Sequence, residues 1–195
     1  MNKFLKSALL SSAIAGSALL STMASAADYV VDYDGAHASV NFKIQHLGYS
    51  WLTGRFDKFS GKFSYDAANV AASKIEMTVD TTSINSNHVE RDKHLRSDDY
   101  LDVSKFGSAR FVSSKVVDKG DGKLDVIGAL TLHGVTKTIT INAEKIGEGK
   151  DPWGGYRVGF SGTTKIGLAD FGIDANLGPA STHVELAIHI EGVRQ

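Results

Sequence analysis

Between residues 36 and 191, apolar side chains return at every second position in one run after another, and this alternation limits the fold more than any other feature of the chain. Val40, Phe42 and Ile44 alternate with Asn41, Lys43 and Gln45; Ile75, Met77 and Val79 with Glu76, Thr78 and Asp80; Val184, Leu186, Ile188 and Ile190 with Glu185, His189 and Glu191. Successive side chains of an extended strand point to opposite faces, so such runs predict a sheet with one buried face. Further strands are expected over 28–34, 109–117, 123–132, 135–143 and 156–168, with turns at His133-Gly134 and between Asp118 and Gly122, for a total of about eight. From Trp51 to Tyr65 the parity breaks, because Phe56 is out of step with Phe59 and Phe63. A bulge or bend near Asp57-Lys58 is expected there.

One stretch, His88 to Asp102, abandons the alternation. Asn87 is a good N-cap, Glu90 stands three residues on in a capping-box position, and Glu90–His94 and Asp92–Arg96 are i,i+4 pairs. Its apolar residues, Val89 and Leu95, are too few for a buried stripe, so the short helix is expected at a rim as a cover.

The first 26 residues read as a signal peptide: Lys3 and Lys6, then an apolar run from Ala8 to Leu20, then the small-residue site Ala24-Ser25-Ala26. Serines and Gly16 interrupt the apolar run, which falls short of the roughly 20 residues that span a bilayer. Residues 27–195 are then expected to form one exported domain, with no integral membrane segment after cleavage. The whole chain carries 21 Lys and Arg against 22 Asp and Glu; losing Lys3 and Lys6 leaves 19 against 22, a mildly acidic domain with no basic footprint for nucleic acid. With no Cys there is no disulfide framework and no thiol nucleophile.

Long antiparallel strands must hide their edges, and a closed barrel does so completely. Strand glycines such as Gly61, Gly128, Gly159 and Gly162 permit the coiling that closure needs. The expected fold is therefore all-β: an extended eight-stranded antiparallel barrel with one short helix at the rim. Its inward faces carry almost no charge, and a tube lined by Val, Ile, Leu and Phe that is not completely filled suits a long apolar guest.

The residues that carry this pattern are also distinctive in themselves: His37-Ala-Ser-Val-Asn-Phe-Lys-Ile-Gln-His46, Gly54-Arg-Phe with Phe59-Ser-Gly61, Arg91-Asp-Lys-His-Leu-Arg-Ser97, Gly128-Ala-Leu-Thr-Leu-His-Gly-Val-Thr-Lys137, Asp151-Pro-Trp-Gly-Gly155, Asp170-Phe-Gly172 and Leu177-Gly-Pro-Ala-Ser181. In that order they resemble the YceI-like family of exported proteins over essentially the whole mature chain. The resemblance implies a lipocalin-like barrel whose pore holds a polyisoprenoid, an isoprenoid quinone or a related lipid, without catalysis and without a cofactor. It turns one strand face into a pore wall, for which Val40, Phe42, Ile44, Phe56, Phe59, Phe63, Leu130, Phe160 and Ile166 are the expected lining. For the polar end of a guest the densest donors beside apolar residues are Arg91, His94 and Arg96 in the helix, with Asn41 and His46 on the early strand. Arg91 is the first choice, because its planar fork can make two bonds to a phosphate, and Asp92 is expected to orient Arg96.

Other readings compete with this one. The barrel interior could be solid and the protein a structural or stress-related partner-binding module, in which case Arg91 pairs with a neighbouring carboxylate and ties the helix down. A hydrolase is a weaker alternative, since no nucleophile elbow is present. His88 with Asp92 and His94 with Asp98 have ligand-like spacing, but no compact metal cluster stands out in the sequence, and none is expected. A homodimer is left open.

Overall fold

The alternating runs become eleven strand segments in one antiparallel sheet. The computed structural model describes residues 26–174 and 178–195. Of the expected signal peptide all but Ala26 lies outside these residues, as does Leu177 of the last family motif. In chain order the segments are β1 (Ala27–Val31), β2 (Ser39–His46), β3 (Ser50–Phe56), β4 (Phe59–Tyr65), β5 (Lys74–Asp80), β6 (Ile84–Asn85), the helix α1 (Val89–Arg96), β7 (Ser108–Gly120), β8 (Lys123–Leu132), β9 (Val135–Lys150), β10 (Tyr156–Gly167) and β11 (His183–Arg194).

The ladder runs β1, β4, β5, β7, β8, β9, β10, β11 and back to β1, a closed ring of eight. The other three segments are extensions of ring strands beyond a kink: β2 continues β1, β3 leads into β4, and β6 continues β5. β11 accordingly pairs with β1 through Tyr29–Val31 and, further along the same edge, with β2 through Ser39–Ile44. The structure is thus an eight-stranded up-and-down barrel, three of whose strands are bent.

The three kinks lie side by side and are bonded to one another. The first is the excursion between Val31 and Ser39, the second is Asp57-Lys58, and the third is the 3-10 turn Thr81–Ser83. Tyr33 Oη donates to Asp57 O at 2.8 Å, Asp57 N to Ser83 O at 3.1 Å, and Asp80 N to Lys58 O at 2.9 Å. Each bend thereby recovers the backbone bonds that the ladder loses there. The bend expected from the Phe56 parity break is present; the kinks beside it leave no comparable mark in the sequence.

Two glycines let large rings lie against the wall. A Cβ on Gly54 would collide with the Phe42 ring on the neighbouring strand, and one on Gly128 would collide with Phe111 and with Val112 O. A ring laid over a glycine hugs the sheet and leaves the barrel axis free. The deepest packing forms two clusters, one around Phe111, Val126, Phe171 and Ile173, the other around Tyr29, Phe63, Tyr65 and Val158. Among the described residues no helix is long and apolar enough to cross a membrane.

The first kink is fastened by charge. Arg157 at the start of β10 donates through Nη1 to Asp32 Oδ2 at 2.5 Å and Glu191 Oε1 at 2.6 Å, and through Nε to Asp151 Oδ2 at 2.9 Å. His37 Nδ1 lies 2.9 Å from Asp32 Oδ2. Asp32, His37 and Glu191 come together as closely as metal ligands would, but the guanidinium already supplies a cation between the two carboxylates. The sequence gives no hint of this cluster, since its members lie far apart in the chain.

The His37 ring first, then Arg157, holds the Asp32 carboxyl down to about 2, and Arg157 also lowers Asp151. A carboxyl whose folded value lies below its unfolded one stabilises the fold above the unfolded value, and that contribution is lost as the pH falls through the folded value. Stability is therefore predicted to fall between about pH 4 and pH 2. Replacing Arg157→Gln is expected to lower stability at neutral pH, because carboxylates lose a charged partner, and to flatten this acid limb in denaturant titrations. An unchanged limb would show that the cluster does not fasten the kink.

Candidate functional site

The inward positions of every segment except β1 face a cavity of about 430 Å³ along the barrel axis. That is the size range of small-molecule sites, about 300–1,000 Å³. Its wall is aliphatic and aromatic: Ile75, Met77 and Val79 from β5, Leu124, Val126 and Leu130 from β8, Ile139 and Ile141 from β9, and Val184 to Ile190 from β11 at alternate positions. The expected members Val40, Phe42, Ile44, Phe56, Phe63, Leu130, Phe160 and Ile166 are all on it.

Phe59 is not. Although its parity is that of Phe63, it stands at the second kink, where Tyr33 meets it edge-on with ring centres 5.2 Å apart, so it fills the kink instead of the tube. Wall residues that parity did not single out include Phe111, Tyr65 and Ile173. Phe111 alternates with Arg110 and Val112 and was within reach of the same argument. Ile173 follows a 3-10 turn, Ala169–Phe171, and no period marks it.

Polar groups on the wall are few, and two of them, Arg91 and His94, come from α1. His46, Arg91 and His94 line the cavity. Asn41 and Arg96 do not: Asn41 faces outward and bonds Ser39 Oγ at 2.8 Å, as alternation with Val40 and Phe42 requires. Arg96 Nη1 donates to Ile84 O at 3.3 Å.

The helix begins one residue later than its sequence suggests. Asn87 has φ 61° and turns the chain out of β6, so His88 is the cap, its Nδ1 accepting from Arg91 N at 3.2 Å. Nor do the expected side-chain pairs form. Asp92 Oδ1 accepts from Ser86 N at 2.7 Å and Ser86 Oγ at 2.5 Å, and so does not orient Arg96. His94 Nε2 meets Asp99 Oδ2 at 3.1 Å, and its ring lies edge-on to Tyr100.

Arg91 Nε donates to Ser86 Oγ at 2.7 Å and its Nη2 to Ser86 O at 2.6 Å. The guanidinium lines the cavity and at the same time ties the helix to the end of β6, through backbone and hydroxyl instead of the carboxylate expected of a tethering arginine. Burial raises the Tyr100 hydroxyl above its ordinary value, which keeps it neutral beside the tube.

Among the described residues, no Ser-His-carboxylate set is assembled around this cavity. Ser161 Oγ and His189 Nδ1 are 3.1 Å apart but exposed on the outside of the barrel, and no described carboxylate is bonded to His189. Ser73 Oγ is buried beside the cavity without a hydrogen-bond partner among the described residues.

Comparison with known proteins agrees with the fold. The model of the YceI-like domain matches residues 29–192. The chain belongs to the YceI-like family. A UPF0312 protein of Shewanella baltica is 59% identical to this YceI-like chain over 191 residues, 98% of the chain and 100% of that protein. The crystal structure of the Campylobacter jejuni YCEI protein superposes with a TM-score of 0.69 at 32% identity, covering 83% of this chain and 96% of that one. A polyisoprenoid binding domain from Saccharophagus degradans, implicated in plant cell wall breakdown, shares the fold with a TM-score of 0.64 at 20% identity, covering 88% of the YceI-like chain and 100% of that domain.

Because Arg91 and Asp92 both close on Ser86, Arg91→Met is predicted to lower unfolding free energy by about 1–3 kcal/mol, the range for leaving buried polar groups unpaired. Hydrogen exchange should quicken in α1 and β6 before the ring strands. Equal protection in variant and parent would refute the tether.

Proposed function

We propose that this protein binds and carries one long apolar molecule, a polyisoprenoid, an isoprenoid quinone or a related lipid, inside the barrel of an exported, periplasmic domain. The observation that carries this reading is the cavity: about 430 Å³ lined mainly by aliphatic and aromatic side chains, with Arg91 and His94 of α1 among its few polar groups. Burial supplies the affinity. At about 0.8 kcal/mol per CH₂, a partly buried chain of about 15 carbons gains on the order of 10 kcal/mol before ordering costs. His46 and His94 are the wall histidines that would meet the head of such a guest, His94 while its Nε2 stays on Asp99, with Arg91 offering what its bonds to Ser86 leave over. The likeness to a domain described as polyisoprenoid binding supports the same ligand class.

A carrier holds its cargo unchanged, so neither a cofactor nor a nucleophile is part of the reading. Reading the barrel instead as a solid module requires a filled axis, against which the open axis beside Phe42 and Phe111 counts.

The test is solvent extraction and mass spectrometry of protein exported and purified from a bacterial host. A long-chain lipid in near-stoichiometric amount is expected. Phe160→Asp should cut lipid per folded molecule at least about tenfold, since an unpaired carboxylate in an apolar tube strongly disfavours its guest. Thr140→Asp, exposed on the outer face, should retain it. A parent protein free of lipid, or a folded Phe160→Asp protein that keeps it in full, would overturn the reading.

A further inference from the structure

The turn joining β2 to β3 combines a rigid backbone with unusually exposed large side chains. Leu47 and Gly48 take positive φ, 53° and 82°, and Tyr49 N donates to His46 O at 2.9 Å. The turn is pinned from below by Ser181, which is 1% exposed: its Oγ donates to Gln45 O at 2.6 Å and accepts from Leu47 N at 3.3 Å. A loop held this firmly keeps its side chains where they are, and it keeps Tyr49 87%, Trp51 51% and Leu47 47% exposed.

The same hairpin forms part of the cavity. Ile44 and Leu52 face each other across β2 and β3 and both line the tube, while Trp51 alternates to the outside. His46, next to the turn, is both exposed and on the cavity wall, and His94 of α1 is the same. Both therefore mark where the tube meets solvent, and the aromatic tip stands immediately beside that opening. Val89, 78% exposed on the first turn of α1, adds apolar surface at the same end of the barrel.

We propose that the β2–β3 tip, Leu47, Tyr49 and Trp51, is a membrane-docking element that sets the open end of the barrel on a bilayer surface, where apolar cargo enters and leaves. Tyr and Trp carry an apolar body and a polar tip and settle at the level of lipid head groups. Lys43 Nζ, 4.6 Å above the Trp51 ring and 2.9 Å from Glu185, adds a cation at the side. A protein partner fits less well: a stable interface covers about 800 Å² on each side, far more than three side chains on a tip provide. Trp153, the other exposed tryptophan, lies at the opposite end and is stacked on Arg157 at 5.6 Å.

This inference rests on the carrier reading for its purpose but has its own test. Purified Trp153→Phe protein, whose one remaining tryptophan is Trp51, is mixed with vesicles of phosphatidylethanolamine and phosphatidylglycerol. Trp51 emission should shift to the blue, and the protein should sediment with the vesicles. Tyr49→Ser with Leu47→Ser should weaken sedimentation about tenfold or more, while lipid content per folded molecule stays that of the parent because neither side chain lines the tube. No emission shift, or undiminished sedimentation of the folded double variant, overturns the docking role and leaves the carrier reading intact. Protein that carries no lipid yet sediments through Trp51 overturns the carrier reading and leaves the docking role standing.

Discussion

Two backbone carbonyls, Ile84 O and Ser86 O, stand where the continuous ladder of the barrel stops, and two arginines of α1 take them. β5 pairs with β7, but β6, which extends β5 beyond the kink, pairs only with β3. An open strand edge offers unpaired polar groups to any passing strand. Here Arg96 and Arg91 occupy that edge, and Asp92 accepts both donors of Ser86. The helix thus stands where a strand beside β6 would. That substitution lets one end of an otherwise sealed tube be built from side chains.

Side chains can part where a ladder cannot. Opening a barrel between two paired strands breaks a row of hydrogen bonds, whereas shifting α1 breaks a handful of contacts around Ser86. The wall histidines, His46 and His94, lie on the two sides of this region, one on the β2–β3 hairpin and the other on the helix. Along the rest of the axis neighbouring ring strands are paired over most of their length, with bulges in β7 and β10, and rings such as Phe42 and Phe111 are laid flat over glycines. A stable wall, a clear axis and a tethered cover at one end are what a carrier of a long, flexible, apolar molecule needs.

The barrel was legible in the sequence because half-buried strands print their geometry with a period of two, and the Asp57-Lys58 kink was legible because Phe56 breaks that period. The Thr81–Ser83 kink was not, since polar residues entering a turn look like the solvent face of a strand. Eight of the nine residues named from parity line the cavity, among many others that were not named. Phe59 does not, because its fate depends on Tyr33 arriving from another kink. The polar groups were read least well. Arg91 and His94 reach the cavity wall and Arg96 does not; what the two arginines bond is decided by the end of β6, through Ser86 and Ile84, and a backbone partner leaves no trace in side-chain spacing.

The central claim is that the apolar tube accepts chains by length. Delipidated protein titrated with linear isoprenoid alcohols of increasing length, with the thermal midpoint as the readout, addresses it most directly. At a fixed concentration, a ligand that binds only the folded state raises the midpoint more the tighter it binds, with the logarithm of its affinity. The account predicts a rise with each added isoprene unit until the tube is full, then a plateau. A midpoint that does not respond, or that responds equally to short and long alcohols, would contradict it.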